Sequence, residues 1–262
     1  FKKLKNILDK TVSSTTGLWF DFKNKNKQTI LLLEIYPPYY EELFKYLKNK
    51  NYNIIIINRR RPVTLELESI KILKNSNCKL ISPESLNNQK DFEEILFQKK
   101  KFHDKINEIW KMNLVFENIF KIDGFTFWEF LKDDLKHVFL ERIEEYVQLL
   151  FFAQHIYKKI NVTSILSLYE SGETEKAFLK MKPSNTKSFL LEHGFSLLFK
   201  ETKTYGFESA YDDFTDKIMV WSEFQKKFLI SNYNIDEERI FAVGSPRHDS
   251  FVEKIRFENK NK

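Results

Sequence analysis

The sequence predicts an α/β domain built around a parallel β-sheet. Short apolar runs rich in β-forming residues alternate with segments whose apolar residues recur every three or four positions. This alternation is typical of parallel strands that are joined by crossover helices. The chain has 262 residues, 42% of them hydrophobic and 16% aromatic, which is enough apolar material for a large core. The same composition excludes a wholly disordered chain.

The strands are predicted from runs that are short, rich in β-formers and bounded by turn or helix signals. The first two, TILLLEIY and NIIIIN, are almost continuously apolar, which indicates strands buried on both faces. The predicted strands are residues 30–36, 54–57, 78–81, 164–168, 188–191, 218–220 and 240–243.

The crossover helices are predicted between these strands. Their apolar residues have helical spacing, and Ser222 is the predicted N-cap of the last helix. The predicted helices are residues 39–50, 64–74 and 173–181 and a segment from 223 to about 233.

A helical insertion is predicted at about residues 91–160, where the strand pattern stops and helical spacing takes over. Gly124 interrupts this spacing once, so we expect two or three helices. The predicted fold is therefore a Rossmann-like doubly wound parallel sheet with a helical insertion. In such sheets, ligands bind beyond the carboxyl ends of the strands.

The spacing of glycine, cysteine and histidine excludes several kinds of site. The six glycines are too far apart for a Walker phosphate loop or a dinucleotide fingerprint. The lone Cys78 excludes an internal disulfide and a cysteine zinc cluster, and we interpret it as a small buried hydrophobe. No two histidines have metal-ligand spacing. We therefore expect neither a metal nor a cofactor in this chain.

A net charge of +6 and several lysine runs raise the question of an anionic partner. Nucleic acid, an anionic membrane surface and a phosphorylated substrate are three candidates. We favour a solvated lysine face, and do not favour nucleic acid. No apolar run reaches the roughly 18 residues of a membrane span.

Polar residues cluster after three of the predicted strands, at residues 169–171, 192–194 and 244–249. His193 is the strongest catalytic candidate, because a neutral imidazole takes a proton from a hydroxyl near pH 7. Gly194 beside it would permit a sharp turn and a close substrate approach. Glu170 could orient His193 or bind an acceptor hydroxyl, or it could simply favour the N-terminus of the following helix.

The segment after the last strand combines a turn glycine, a proline, Arg247 and Asp249. Arg247 could pair with Asp249 or grip a phosphate, and we favour the structural pair. The histidines at 103, 137 and 155 lie on helical patterns and are interpreted as structural.

Three segments resemble one family. LLEHGFS at 190–196, DKIMVWSEFQKKFL at 216–229 and RIFAVGSPRHD at 239–249 are similar, in this order, to segments of GT-B glycosyltransferases of surface-polymer synthesis. The CDP-glycerol glycerophosphotransferases, the teichoic-acid polymerase group, and related capsule transferases have the same order. The resemblance covers about residues 163–251. It departs from the family at Glu192, where Gln or Trp is frequent.

In that family the HG histidine is a proposed catalytic base, and the resemblance gives this role to His193. From their places after or near the ends of strands, we further expect Glu170 to position the acceptor. By the same reasoning we expect substrate contacts from Glu192, Gly194, Ser222, Ser245, Arg247 and Asp249.

The resemblance also implies a division of labour between two domains. Residues 1–252 would be the acceptor-side domain, and 253–262 would begin the linker to a C-terminal domain that binds a nucleotide-activated donor. The acceptor would be a glycan or a lipid-linked molecule, and the protein would be cytoplasmic, peripheral at the inner face of the cell membrane. Two alternatives stay open: a UDP-sugar 2-epimerase-like enzyme, and a non-catalytic module that binds membrane or nucleic acid.

Overall fold

The computed structural model of the protein describes residues 7–8, 11–12, 27–50, 52–60, 63–82, 89–194, 214–249 and 251–252. These residues belong to two compact units. The first comprises Phe1–Ser85 and His155–Lys262, and the second comprises Leu86–Gln154.

The first unit is built on a parallel sheet, which has seven strands within the described residues. The strands of the described residues are β1 (Thr29–Leu33), β2 (Asn53–Ile57), β3 (Cys78–Leu80), β4 (Lys121–Ile122), β5 (Phe125–Thr126), β6 (Val162–Ser167), β7 (Lys187–Leu191), β8 (Lys217–Val220) and β9 (Ile240–Ala242). The sheet order is β3-β2-β1-β6-β7-β8-β9, and every pairing in it is parallel. The predicted fold class is confirmed.

The helices of the described residues are α1 (Glu41–Lys48), α2 (Leu67–Asn75), α3 (Gln89–Ile109), α4 (Asn113–Ile119), α5 (Trp128–Lys159), α6 (Glu173–Met181) and α7 (Glu223–Tyr233). The predicted cap of α7 is confirmed, because the Ser222 hydroxyl accepts a hydrogen bond from the Gln225 amide at 3.2 Å. The helix predicted at 39–50 begins later, because Pro37–Tyr40 forms a 3₁₀ turn before α1.

The core of the first unit is formed by the central strands. The four isoleucines of β2 are at most 1% exposed, and each contributes about 1.5–3 kcal/mol by leaving water. Strand β2 pairs with β1 on one side and with β3 on the other. Its burial agrees with the continuous apolar run in the sequence. Cys78 is fully buried as predicted, and its burial raises the pKa of the thiol.

Strand β1 ends earlier than predicted, at Leu33 instead of residue 36. The next residue, Glu34, has a φ of 53°, which turns the chain out of the extended conformation. Its carboxylate accepts hydrogen bonds from the backbone amides of Arg59 and Arg60 at 2.9 and 3.0 Å. These bonds compensate for the left-handed backbone, which is uncommon for glutamate.

The second unit contains helices, as predicted, and a β-hairpin that was not predicted. Strands β4 and β5 pair antiparallel, with Ile122 opposite Phe125. The turn residues Asp123 and Gly124 have φ values of 50° and 90°, as a type I′ hairpin turn requires. The Asp-Gly dipeptide is a strong hairpin signal that could have predicted the turn. Trp128 packs behind the hairpin, with its ring stacked on Phe116 at 4.3 Å.

Among the described residues, no helix is both long enough and apolar enough to cross a membrane.

Candidate functional site

The parallel strands bring polar side chains to the carboxyl edge of the sheet, where ligands of doubly wound folds bind. The strongest catalytic candidate, His193, follows β7 and lies beside Tyr169, which follows the neighbouring strand β6. Their ring centroids are 4.3 Å apart and the rings are tilted by 50°. Both residues are half-buried. The imidazole therefore has an aromatic ring against it, at the edge predicted from the sequence.

A network of charges lies next to Tyr169. The Arg60 guanidinium lies over the Tyr169 ring, with its central carbon 5.8 Å from the ring centroid. Arg60 also forms an ion pair with Glu175, which is fully buried in α6. The carboxylate of Glu34 lies 3.9 Å from the Arg60 Nε. Two buried carboxylates thus fix the position of one arginine, because neither can leave its cation without a large desolvation cost.

The buried Glu34 joins three loops at the carboxyl edge. Besides the two amides after β2, its carboxylate accepts a hydrogen bond from the Thr174 hydroxyl at 2.8 Å. Thr174 lies in the first turn of α6, which follows β6. One carboxylate therefore ties together the ends of β2, β1 and β6, which are three adjacent strands of the sheet.

The predicted catalytic residue Glu170 is 1% exposed. Its carboxylate accepts a hydrogen bond from the Thr215 amide at 2.9 Å, and a second from the Thr215 hydroxyl. Thr215 lies two residues before β8 begins, so Glu170 joins the segment before β8 to the segment after β6. A role for Glu170 in positioning an acceptor stays a prediction.

Side chains that follow β7, β8 and β9 also meet at this edge. Trp221 donates a hydrogen bond from its indole nitrogen to the backbone oxygen of Glu192 at 2.7 Å. The Trp221 ring contacts the His248 ring edge-to-face at a centroid distance of 5.0 Å. His248 in turn shares a hydrogen bond of 2.8 Å, through its Nδ1, with the Ser245 hydroxyl. These contacts link the segment around His193 to the segment that follows β9.

Of the predicted substrate contacts, Glu192 is 7% exposed and Gly194 is half-buried. Ser222 uses its hydroxyl to cap α7. Their roles toward a substrate stay predictions.

The favoured pairing of Arg247 with Asp249 is wrong. Both residues are described, and no ion pair or hydrogen bond joins them. Instead the Arg247 guanidinium lies over the ring of Tyr39, 4.2 Å from its centroid. A flat guanidinium stacks favourably on an aromatic face, and this contact leaves its N–H donors free to face solvent. A phosphate-binding role for Arg247, and a substrate contact for Asp249, stay predictions.

The tyrosine under Arg247 belongs to a chain of aromatic contacts. Tyr39 meets Tyr36 edge-to-face at a centroid distance of 4.8 Å. The Tyr36 hydroxyl donates a hydrogen bond to the carboxylate of Glu66. This bond, with smaller effects of burial and nearby charge, raises the pKa of Tyr36 to about 12. Tyr36 therefore stays protonated at neutral pH, and its ring packs against the ring of Tyr39.

In the part of the chain that the structure describes, metal-binding groups and cavities away from the carboxyl edge give no additional candidate for the predicted site. Among the described residues, no group of three or more His, Cys, Asp or Glu side chains could hold a metal ion. A cavity of about 310 Å³ lies between α1 and α2, with Phe44 and Ile72 among its lining residues. These helices pack beside the sheet, and none of the predicted site residues lines this cavity.

Sequence reasoning missed the network of Glu34, Arg60 and Glu175. A glutamate inside the apolar run TILLLEIY is one signal that could have identified it, because a buried carboxylate needs hydrogen-bond donors. The arginine run after β2 is a second signal. The linker predicted at 253–262 lies outside the described residues.

The sequence matches no family model and no curated protein. Among solved structures, a variant of the wall teichoic acid polymerase TagF is similar over 99% of this chain, with 13% sequence identity and a TM-score of 0.39. The chain spans 50% of that structure's chain. A likeness of this size indicates a distant relationship at most, and it carries no statement about the chemistry of this chain.

Proposed function

We propose that this chain is the acceptor-binding half of a GT-B transferase with His193 as its general base. The reaction would move a glycosyl or polyol-phosphate group from a nucleotide-activated donor to an acceptor hydroxyl. The observation that carries the proposal is the place of His193, directly after β7 at the carboxyl edge and against Tyr169. That edge is where doubly wound sheets bind their ligands. Each of the three segments that resemble surface-polymer transferases contains the carboxyl end of one strand, β7, β8 or β9, and these strand ends lie at that edge.

The chemistry follows from the imidazole. A neutral His193 takes the proton of the acceptor hydroxyl while the hydroxyl oxygen attacks the electrophilic centre of the donor. The bond from that centre to the nucleotide leaving group breaks in the same displacement. The donor would be held by a second domain, because the glycine spacing of this chain excludes the usual phosphate loops. The chain alone would then have little activity and weak donor affinity.

The test is His193→Ala in the protein that contains this chain. General-base catalysis contributes about 10²- to 10⁴-fold, so we expect a loss of transfer of that size with donor binding unchanged. His137→Ala is the matched control, because it removes an imidazole from the 75%-exposed side chain of a helical residue. A folded His193→Ala protein that keeps more than about a third of kcat/KM would remove His193 from the mechanism. The binding-module alternative would then be favoured.

A location in the cytoplasm at the inner face of the cell membrane belongs to the same proposal. The second unit supports the membrane contact in this proposal, because it exposes large apolar side chains: Leu114 at 76%, Phe125 at 74% and Phe130 at 83%. Exposed apolar surface of this kind is typical of membrane or protein binding. Flotation with phosphatidylcholine vesicles, with and without phosphatidylserine, tests the membrane contact. We expect Phe125→Ser with Phe130→Ser to abolish flotation, and an unchanged result would contradict it.

A further inference from the structure

The ring of His193 has an aromatic neighbour in Tyr169. Tyr169 contacts the imidazole at a ring-centroid distance of 4.3 Å. Tyr169 is itself fixed, because it packs against the core cluster that includes Leu168 and Leu191. An imidazole against a fixed ring loses rotational freedom about its side-chain bonds. A general base needs this restriction, because proton transfer requires the acceptor nitrogen within hydrogen-bond reach of the hydroxyl.

A charged side chain also contacts the Tyr169 ring. Arg60 lies over the Tyr169 ring and is anchored by the buried Glu175 and Glu34. Gly172 allows the anchoring, because a Cβ at this position would lie 2.7 Å from the Arg60 Nη2 and 2.1 Å from the Glu175 Oε2. The ring of Tyr169 is therefore supported by apolar packing and by a guanidinium that cannot easily move. This is more support than a ring on a mobile loop would have.

We propose that Tyr169 is a positioning residue that holds the His193 imidazole in the orientation required for proton transfer. This inference rests on the proposed function of His193 and adds a residue that acts through it. The contacts of Tyr169 with His193 and with Arg60 both use its ring. Within the described part of the chain, the Tyr169 hydroxyl makes no hydrogen bond. The positioning therefore depends on the aromatic ring and not on the phenol. We therefore predict that phenylalanine at position 169 keeps the positioning function and that an aliphatic residue loses it.

The first experiment measures the contact by NMR on the 262-residue chain. The ring-proton signals of His193 are assigned by their loss in His193→Ala. An aromatic ring in contact shifts such signals, so Tyr169→Phe should leave them in place and Tyr169→Leu should move them. Tyr46→Leu is the matched control, because Tyr46 is a 60%-exposed tyrosine on α1. Signals that stay in place in Tyr169→Leu would overturn the inference.

The second experiment measures transfer in the protein that contains this chain. Misplacement of a catalytic group by about 1 Å can cost 10²-fold, so Tyr169→Leu should lower kcat about 10- to 100-fold. KM should change by less than about twofold, because an orienting role acts on the chemical step. Tyr169→Phe should stay within about twofold of the wild-type kcat, by the same reasoning. If Tyr169→Leu does not fold, Tyr169→Met, an unbranched filler of similar reach, takes its place.

The two experiments separate this inference from the proposed function. An inactive His193→Ala protein with a fully active Tyr169→Leu protein would overturn the positioning role and leave the function intact. A fully active His193→Ala protein would overturn both. Loss of activity in Tyr169→Phe equal to that in Tyr169→Leu would also overturn the inference, because the phenol would then be the group that matters.

Discussion

Gly172 should be intolerant of even a methyl group, because of what surrounds it. It precedes α6 with φ −68° and ψ 149°, which any residue can adopt, so alanine there brings no backbone strain. The added Cβ would lie 2.1 Å from the Glu175 Oε2, far inside van der Waals contact. Glu175 would have to move by more than 1 Å to reach an ordinary contact near 3.4 Å. Because Glu175 is fully buried and paired with Arg60, this movement breaks the ion pair.

The magnitude follows from the bond that is lost. A hydrogen bond to a charged group contributes about 1.5–3 kcal/mol, and the half-exposed Arg60 places the value toward the lower end. Replacing Gly by Ala returns about 0.4–1 kcal/mol through the unfolded chain. We therefore expect Gly172→Ala to lower the free energy of unfolding by about 0.5–2 kcal/mol. That corresponds to a fall in Tm of about 1–8 °C for a domain of this size.

The assay is urea denaturation followed by circular dichroism, with Gly194→Ala as the matched control. Gly194 lies at the same edge of the sheet, and a Cβ there would meet nothing within 4 Å. Its variant should be as stable as the wild type or up to about 1 kcal/mol more stable, because it keeps the gain from the unfolded chain and meets no clash. Equal stability of the two variants would refute the reasoning. A double-mutant cycle adds a sharper criterion: in a Glu175→Ala background, Gly172→Ala should cost nothing further, and full additivity would show that Glu175 is not the obstacle.

Three further predictions concern other contacts. Ser222→Ala removes the cap of α7 and should cost about 1 kcal/mol in urea denaturation, and unchanged stability would contradict the capping role. Burial opposes ionisation of Asp216, but hydrogen bonds from Ser188 and Lys182 outweigh it and lower its pKa below 3.8. The contribution of Asp216 to the free energy of unfolding is therefore complete above its unfolded-state pKa, and it is lost as the pH falls through its folded-state pKa. The difference in stability between the wild type and Asp216→Asn should shrink below about pH 4. A difference that stays constant down to about pH 2 would exclude this. Glu170→Gln should raise KM more than it lowers kcat if Glu170 positions the acceptor. A loss of stability with unchanged kinetics would instead show that Glu170 only holds the segment around Thr215.

Much of the fold could be predicted from local sequence patterns. The runs around β2 and β7 are apolar and β-branched or aromatic, and the strands lie within a few residues of their predicted bounds. Ser222 caps α7 as predicted from the sequence, because an N-cap hydrogen bond joins residues only three positions apart. The hairpin at Asp123 and Gly124 was missed although its signal is equally local.

The candidate site divides in the same way. The sequence by itself determined that His193, Glu192 and Ser245 follow strands, and parallel strands all end at one edge, so these residues had to lie there. Only the tertiary structure decided that Tyr169 contacts His193, that Arg60 pairs with Glu175, and that Arg247 stacks on Tyr39 rather than pairing with Asp249. These contacts join residues up to about two hundred positions apart. They depend on strand order, on register and on how side chains share space at the edge, and no local periodicity encodes these.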